Sequence, residues 1–349
     1  MKLEIASANS NHLRDATQPD RQGMFQQIRC IINTAFIVVL THFLLVPVAF
    51  AQNWPLRPVL LILPFGPASG ADTAARLLSE KLREYWGQPV VIEGRPGGDG
   101  LISVRAVVNA KDDHVLFFGP TSAYVVHPYV HENLAYDPER DLQPIAGVAK
   151  VQVAIAVTKS LGIKTLKELV AYAKAHPDKL NYGVAPGFSE FVFNGFLREN
   201  DLKIAKVPYR DITQAPPDLG LGRIQLAMMS YAAMRAQEQV GDIIVLAIND
   251  TKRSQIAPDI PSVVEAGYPG LVASPILGFM GHRNMSFEVR QKAAAGVLEA
   301  LKDDTVISGL NRTGQPAAPM GVETFAVAVK EQHQQVERIA QLLKIERKR

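Results

Sequence analysis

Ser69 and Asp72, three positions apart in "PFGPASGADTAAR" (64–76), are the first side chains in this sequence whose spacing suggests chemistry. They follow the apolar run "RPVLLIL" (57–63) and precede an apolar-periodic stretch. Serine followed three residues later by an acid at such a junction is a capping box: the two side chains take up backbone N–H groups at the start of a helix. Both residues thus have a complete structural account. Capping uses only some of the first-turn N–H groups, and the others point out of the helix with about half a positive charge behind them. A helix N-terminus after a strand of an open sheet is also where anions bind. The stretch is therefore a structural turn and a candidate ligand cradle, its amides supplied by Phe65, Gly66, Ala68, Ser69 and Gly70, with Ser69 and Asp72 fixing the loop.

The spacing restricts the anion. Gly66 and Gly70 are one residue too close for a P-loop, and no lysine follows. The dinucleotide fingerprint G-x-G-x-x-G is absent, and Ser69 sits in G-x-x-S-G, not in the G-x-S-x-G of a nucleophile elbow. No Lys or Arg lies between Arg57 and Arg76, which disfavours a polyphosphate and suits a carboxylate held by backbone amides.

Four further strand-end loops carry candidate groups. In "EGRPGGDGLIS" (93–103), Gly98-Asp99-Gly100 is half a dinucleotide fingerprint or a tight turn needing positive φ, and Arg95 reaches a ligand or pairs with Asp99. In "GPTSAY" (119–124), Thr121 and Ser122 stand at a strand's carboxyl end as ligand donors or as an N-cap. In "YGVAPGFSEF" (182–191), Gly187 gives access to the backbone and Ser189 opens the next helix, while Phe188 and Phe191 line an apolar wall or belong to the core. In "VPYRDITQAPPDL" (207–219), Tyr209 is a candidate donor, and Arg210 is a carboxylate clamp or a solvated surface arginine. Ser230, after "IQLAMM" (224–229), completes the candidate set. The eight histidines form no H-E-x-x-H or H-x-H pattern, and the single cysteine, Cys30, excludes internal disulfides and Cys-ligated metal sites. No catalytic residue, metal or cofactor is assigned.

The elements that must position these loops alternate. Strand candidates are 58–63, 89–93, 114–119, 151–157, 180–184, 205–209, 224–229, 243–248 and 276–281, with helical patterns at 70–86, 165–176, 286–304 and 321–349. In 70–86 the apolar stripe is Ala71, Ala74, Ala75, Leu78, Leu82 and Tyr85, with Gly87 as the stop. In 165–176, Thr165 and Glu168 form a second capping box. Such alternation predicts an α/β fold with mainly parallel sheets. The 349 residues suffice for two domains, and nine strands suit two sheets, with boundaries near 150 and 275. This predicts domain 1 from 52–151 plus 275–349 and domain 2 from 152–274.

At the N-terminus, Arg29, the apolar stretch Cys30–Val48 and Ala49-Phe50-Ala51 predict a secretory signal peptide over residues 1–51, with Met24 an alternative start and a membrane anchor the competing reading. The formal net charge of +3 is too mild to imply nucleic acid.

Taken in order, residues 54–100, "YDPERDLQPIAGVA" (136–149), "PDKLNYG" (177–183), 207–219, "IAPDIPSVVEAGYPG" (256–270) and "GFMG" (278–281) resemble the Bug family, the TctC-like substrate-binding receptors of tripartite tricarboxylate transporters. The resemblance covers nearly the whole mature chain. It implies a type II periplasmic-binding-protein fold, in which two α/β domains close like a flytrap on a carboxylate. The loop after the first strand holds that carboxylate through main-chain amides and bridging waters. It further implies no catalysis; the chain is expected to be a monomer that works with membrane transporter subunits or, alternatively, presents its bound form to a sensor partner, with a periplasmic hydrolase as the remaining rival. The sequence departs from the family pattern in four places. Ala68-Ser69 replaces part of a glycine run, Gly94 replaces Asn, "GFSEFVF" lacks the usual His, and "LGRIQLAMM" replaces "GGQVDVMF". The cradle is thus expected to be kept and the distal pocket to differ, which suits a ligand with an apolar or aromatic body.

Overall fold

The computed structural model describes residues 54–347 apart from 68, 186, 210 and 211, and of Asp99 the backbone only. The expected signal peptide lies outside these residues. From Trp54 onward the chain builds two α/β lobes.

In chain order the elements begin with β1 (Val59–Leu63), α1 (Gly70–Trp86), β2 (Val90–Gly94), α2 (Leu101–Ala110) and β3 (Val115–Pro120). Three single-turn helices follow, α3 (Ser122–Val125), α4 (His127–Val130) and α5 (Pro138–Asp141), leading to β4 (Leu142–Lys150). The second lobe holds β5 (Val153–Thr158), α6 (Leu166–Ala175), β6 (Asn181–Val184), α7 (Phe188–Glu199), β7 (Ala205–Lys206), α8 (Ala215–Gly220), β8 (Leu226–Ser230), α9 (Tyr231–Gln239) and β9 (Ile243–Ile248). The chain then returns through β10 (Ile276–His282), α10 (Phe287–Ala300), α11 (Asp304–Arg312), β11 (Ala317–Met320) and α12 (Val322–Leu343).

The first sheet has the order β11-β4-β10-β3-β1-β2 and the second β7-β6-β8-β5-β9. Parallel pairing joins β1 to β2 and β3, and β6 to β7 and β8. The other pairings, through β10, β4 and β5, are antiparallel. The parallel pairs form one side of each sheet, β3-β1-β2 and β7-β6-β8, so both sheets are mixed rather than mainly parallel. β5 and β10, the first strands after the two passages between lobes, run against the parallel strands of their sheets, whereas β4 and β9 run with them.

Local signals explain the elements. Gly87, in the left-handed conformation at φ +66°, ends α1 by donating its N–H to the Arg83 carbonyl at 3.0 Å. The buried stripe of α1 closes with Trp86, while Tyr85 turns to solvent. Thr165 Oγ1 accepts the Glu168 N–H at 3.1 Å, and the Glu168 carboxylate takes the N–H of Lys164 at 2.7 Å. The helix expected over 286–304 ends at Ala300, because Asp303 caps a new helix by accepting from the N–H groups of Thr305 and Val306.

Leu61, Leu63, Leu78, Phe118, Phe279 and Val297 pack the first sheet against α1 and α10. A second apolar cluster joins the lobes: α12 lies along α7, where Gly195 lets Ile339 approach, and Phe191 meets Tyr129 with ring centroids 5.9 Å apart. The first passage between lobes is tied to the loop before β11. Lys150 N–H donates to the Pro316 carbonyl at 3.1 Å, and Gln152 N–H to that of Gly314 at 3.2 Å.

Candidate functional site

The first-lobe floor consists of three strand-end turns packed on one another. A Cβ on Gly100 would lie 2.9 Å from Pro64 Cβ, one on Gly119 2.9 Å from Pro64 Cδ, and one on Gly94 2.5 Å from the Phe65 carbonyl oxygen. Gly94 thus has a reason to replace the larger residue usual there: the cradle backbone rests on it. Arg95 N–H donates to the Leu63 carbonyl at 2.8 Å, and the buried Ser103 Oγ lies 3.1 Å from that oxygen and 2.6 Å from the Arg95 carbonyl. Arg95 pairs with Glu93 at 2.7 Å and holds that carboxyl below its ordinary range. Gly98 and Gly100 have φ of +55° and +97°, as a tight turn requires. The alternative partner Asp99 lies outside the described side chains.

At the start of α1, Ser69 is extended (φ −67°, ψ 160°) and its Oγ accepts the Asp72 N–H at 3.1 Å. Asp72 is buried and receives Arg76 Nε and an Arg76 terminal nitrogen at 3.0 Å each. The next cation after the loop is therefore turned along the helix toward Asp72. Phe65 is 40% exposed, and a Cβ on Gly66 would meet nothing within 4 Å. Ala68 lies outside the described residues.

The remaining candidates divide by whether their polar atoms are engaged. Thr121 is fully buried. Its Oγ1 donates to Gln332 Oε1 at 2.5 Å and accepts the Ile276 N–H at 3.3 Å, which pins α12 and β10 to β3. Tyr209 donates its hydroxyl to Asp218 at 2.9 Å, and Asp218 also takes Arg223 at 2.9 Å. Burial, and then Asp218, push the Tyr209 phenol up to about 12. Phe188 and Phe191 are buried core side chains. Arg210, read as a clamp or a solvated surface arginine, lies outside the described residues. By contrast, the hydroxyls of Ser122, Ser189 and Ser230 make no hydrogen bond among the described residues; Ser230 precedes α9 without a side-chain cap.

Beside the apolar cluster that joins the lobes, two glycines make close contacts between them. Gly187 precedes α7 at φ +83° and ψ −130°, and a Cβ there would lie 3.4 Å from Ser122 Cβ across the cleft. Gly314, at φ +69°, faces Ala232 in the first turn of α9, with 2.7 Å between a Cβ on Gly314 and that of Ala232. The next residue, Gln315, belongs to the site but carries no motif: "TGQPAAPM" (313–320) reads as a loop after a helix. Its side-chain amide nitrogen stands where a Cβ on Gly70 would be, and its Oε1 is buried without a hydrogen-bond partner. Among the described residues no His, Cys, Asp and Glu cluster could hold a metal ion, and no helix is long and apolar enough to cross a membrane.

Two α/β lobes crossed twice by the chain, with helix N-termini from both lobes converging between them, define a bilobal solute-binding protein. The chain belongs to the tripartite tricarboxylate transporter family receptors, whose family model matches residues 74–345. A UPF0065 protein of Bordetella bronchiseptica is 30% identical over 301 residues, spanning 86% of this chain and 90% of the relative. BugT of Bordetella pertussis is 28% identical over 282 residues, 80% of this chain and 86% of that protein. Among solved structures, a Rhodopseudomonas palustris protein with adipate superposes with a TM-score of 0.73 at 27% identity, covering 84% of this chain and 99% of that one. BugD, described as a periplasmic binding protein, gives 0.70 at 24% identity, covering 84% of this chain and 99% of that chain, and supports the fold.

Proposed function

We propose that this protein is a periplasmic receptor that captures a small carboxylate between its lobes and delivers it to the membrane subunits of a tripartite tricarboxylate-type transporter, without catalysing a reaction. The observation that carries the reading is the loop between β1 and α1: its residues Pro64 to Gly66 rest on Gly94 and Gly100, and it ends in a helix N-terminus capped by Ser69. In this reading the amides of Phe65, Gly66, Ala68, Ser69 and Gly70 bind the carboxylate, and Ser122, Ser189 and Ser230 donate across the cleft. Thr121, Tyr209 and Phe188 hold the walls. The adipate-bound relative supports the ligand class. Export by a signal peptide over 1–51, and a division into 52–151 plus 275–349 and 152–274, complete the proposal.

Binding to the folded state alone stabilises it by about 2.7 kcal/mol at a hundredfold excess over Kd. A thermal-shift screen of the purified protein with di- and tricarboxylates and aromatic acids therefore tests the reading. Ser69→Pro is compatible with the local φ of −67° but removes both an amide and the cap, and is expected to abolish the response. Indifference to every carboxylate, or an unchanged response in Ser69→Pro, would overturn the cradle.

A further inference from the structure

Gln315 reaches the cradle from the far end of the chain. It is only 7% exposed, and its Oε1 has no hydrogen-bond partner, an arrangement that leaves a desolvated acceptor uncompensated. Its Nε2 occupies the place of a side chain on Gly70, the first residue of α1. Helical Cα–Cβ bonds tilt toward the helix N-terminus, so an atom at that place lies on the side from which the free N–H groups of α1 project. Gly314, immediately before it, touches the first turn of α9 in the other lobe. The amide thus stands at the N-terminus of α1, one residue from a contact between the lobes.

We propose that Gln315 is a ligand-contacting residue that selects carboxylates bearing an adjacent hydrogen-bond donor, such as 2-hydroxy acids. The inference rests on the receptor reading above and names its substrate class. A primary amide presents a donor and an acceptor side by side. A 2-hydroxycarboxylate presents the complementary pair: a carboxylate oxygen, which would share the α1 amides with Nε2, and a hydroxyl, which would donate to Oε1. A carboxylate without the hydroxyl leaves Oε1 buried and unpaired, and sites built around a hydroxyl reject the analogue lacking it far more strongly than apolar pockets do. Gly70 has its place in the same scheme, since any larger residue there would displace the amide.

The test is calorimetric titration of the full protein and its variants with three pairs: malate and succinate, lactate and propionate, 3-phenyllactate and 3-phenylpropionate. In the wild type at least one hydroxy acid is expected to bind about tenfold or more tighter than its parent. Gln315→Met keeps the length without the hydrogen bonds and should bring that ratio close to one. Gln315→Asn, which withdraws the amide from Gly70, should do the same, and unliganded melting temperatures verify that both variants fold. Binding of carboxylates with no preference for the hydroxylated member, or a preference that survives in Gln315→Met, would overturn this inference while leaving the receptor standing. Failure of the wild type to bind any of the six acids, or any acid in the thermal-shift screen, would remove the receptor reading and this one with it.

Discussion

Gly187 of the second lobe faces Ser122 of the first so closely that a single carbon added to the glycine would stand 3.4 Å from Ser122 Cβ and 3.6 Å from its Oγ. One methyl group is an ordinary contact at that range, so space alone would admit alanine. The backbone does not, because φ +83° with ψ −130° is a conformation nearly exclusive to glycine. Gly187→Ala is expected to lower stability by about 1–3 kcal/mol through strain, measured by urea unfolding. Gly187→Val adds bulk directed at Ser122. It should hold the lobes apart, seen as a larger radius of gyration in small-angle scattering at saturating ligand; an unchanged radius would refute the cleft contact.

Ser69 separates capping from ligand binding. Ser69→Ala loses the bond to the Asp72 N–H and should cost about 1 kcal/mol in chemical denaturation. Ser69→Asp retains a good cap and should keep near-native stability, yet it places a negative charge beside the cradle. Its carboxylate affinity is expected to fall at least tenfold by titration, an order-of-magnitude figure for like charges near a helix N-terminus.

Thr121 tests the opposite case, a candidate whose hydroxyl is engaged within the fold. Thr121→Val leaves the half-buried Gln332 Oε1 without its donor, at a cost of about 1 kcal/mol. The ranking of ligands should be unchanged, because the hydroxyl serves α12 and β10. A reordered ranking would make Thr121 a ligand contact after all.

Alkaline pH should unfold the protein through its buried phenols. Burial first, and nearby carboxylates second, push Tyr124, Tyr182, Tyr209 and Tyr231 from 10.0 up to about 12. A phenol is neutral when protonated, so a raised pKa means that the folded state holds its proton more firmly. The associated stability is fully present below pH 10 and is lost as the pH rises from 10 through 12. Urea midpoints measured across that window should fall steadily, and less steeply in Tyr209→Phe.

Local chemistry was legible in the sequence, and long-range assembly was not. Ser69, Thr165 and Gly87 act through hydrogen bonds to residues within four positions, so their roles follow from spacing. The apolar runs around β1, β3 and β9 mark strands because both faces of their sheets are covered. β4 escaped detection because Pro144 and Gly147 interrupt "LQPIAGVAK", and its pairing with β10 tolerates them through register shifts. β11, "AAPM", is too short to carry a pattern. Among the site candidates, sequence spacing could not tell an engaged hydroxyl from a free one. The partners that decide this for Thr121 lie on β10 and α12. Gln315 was invisible for the same reason: its neighbour is Gly70, and nothing between them in the chain announces the contact.

β10 completes the first sheet by inserting between β3 and β4, yet it follows every strand of the second sheet in the chain. The first lobe must therefore wait for a distant segment, while β5 to β9 are contiguous and can close on themselves. Contacts between residues far apart in sequence form late because loop closure costs entropy before it is rewarded. The order of folding is thus the reverse of the order of reading: the middle of the chain is set to gain protection from hydrogen exchange before its two ends, and the surface that meets the ligand becomes whole only in the last step.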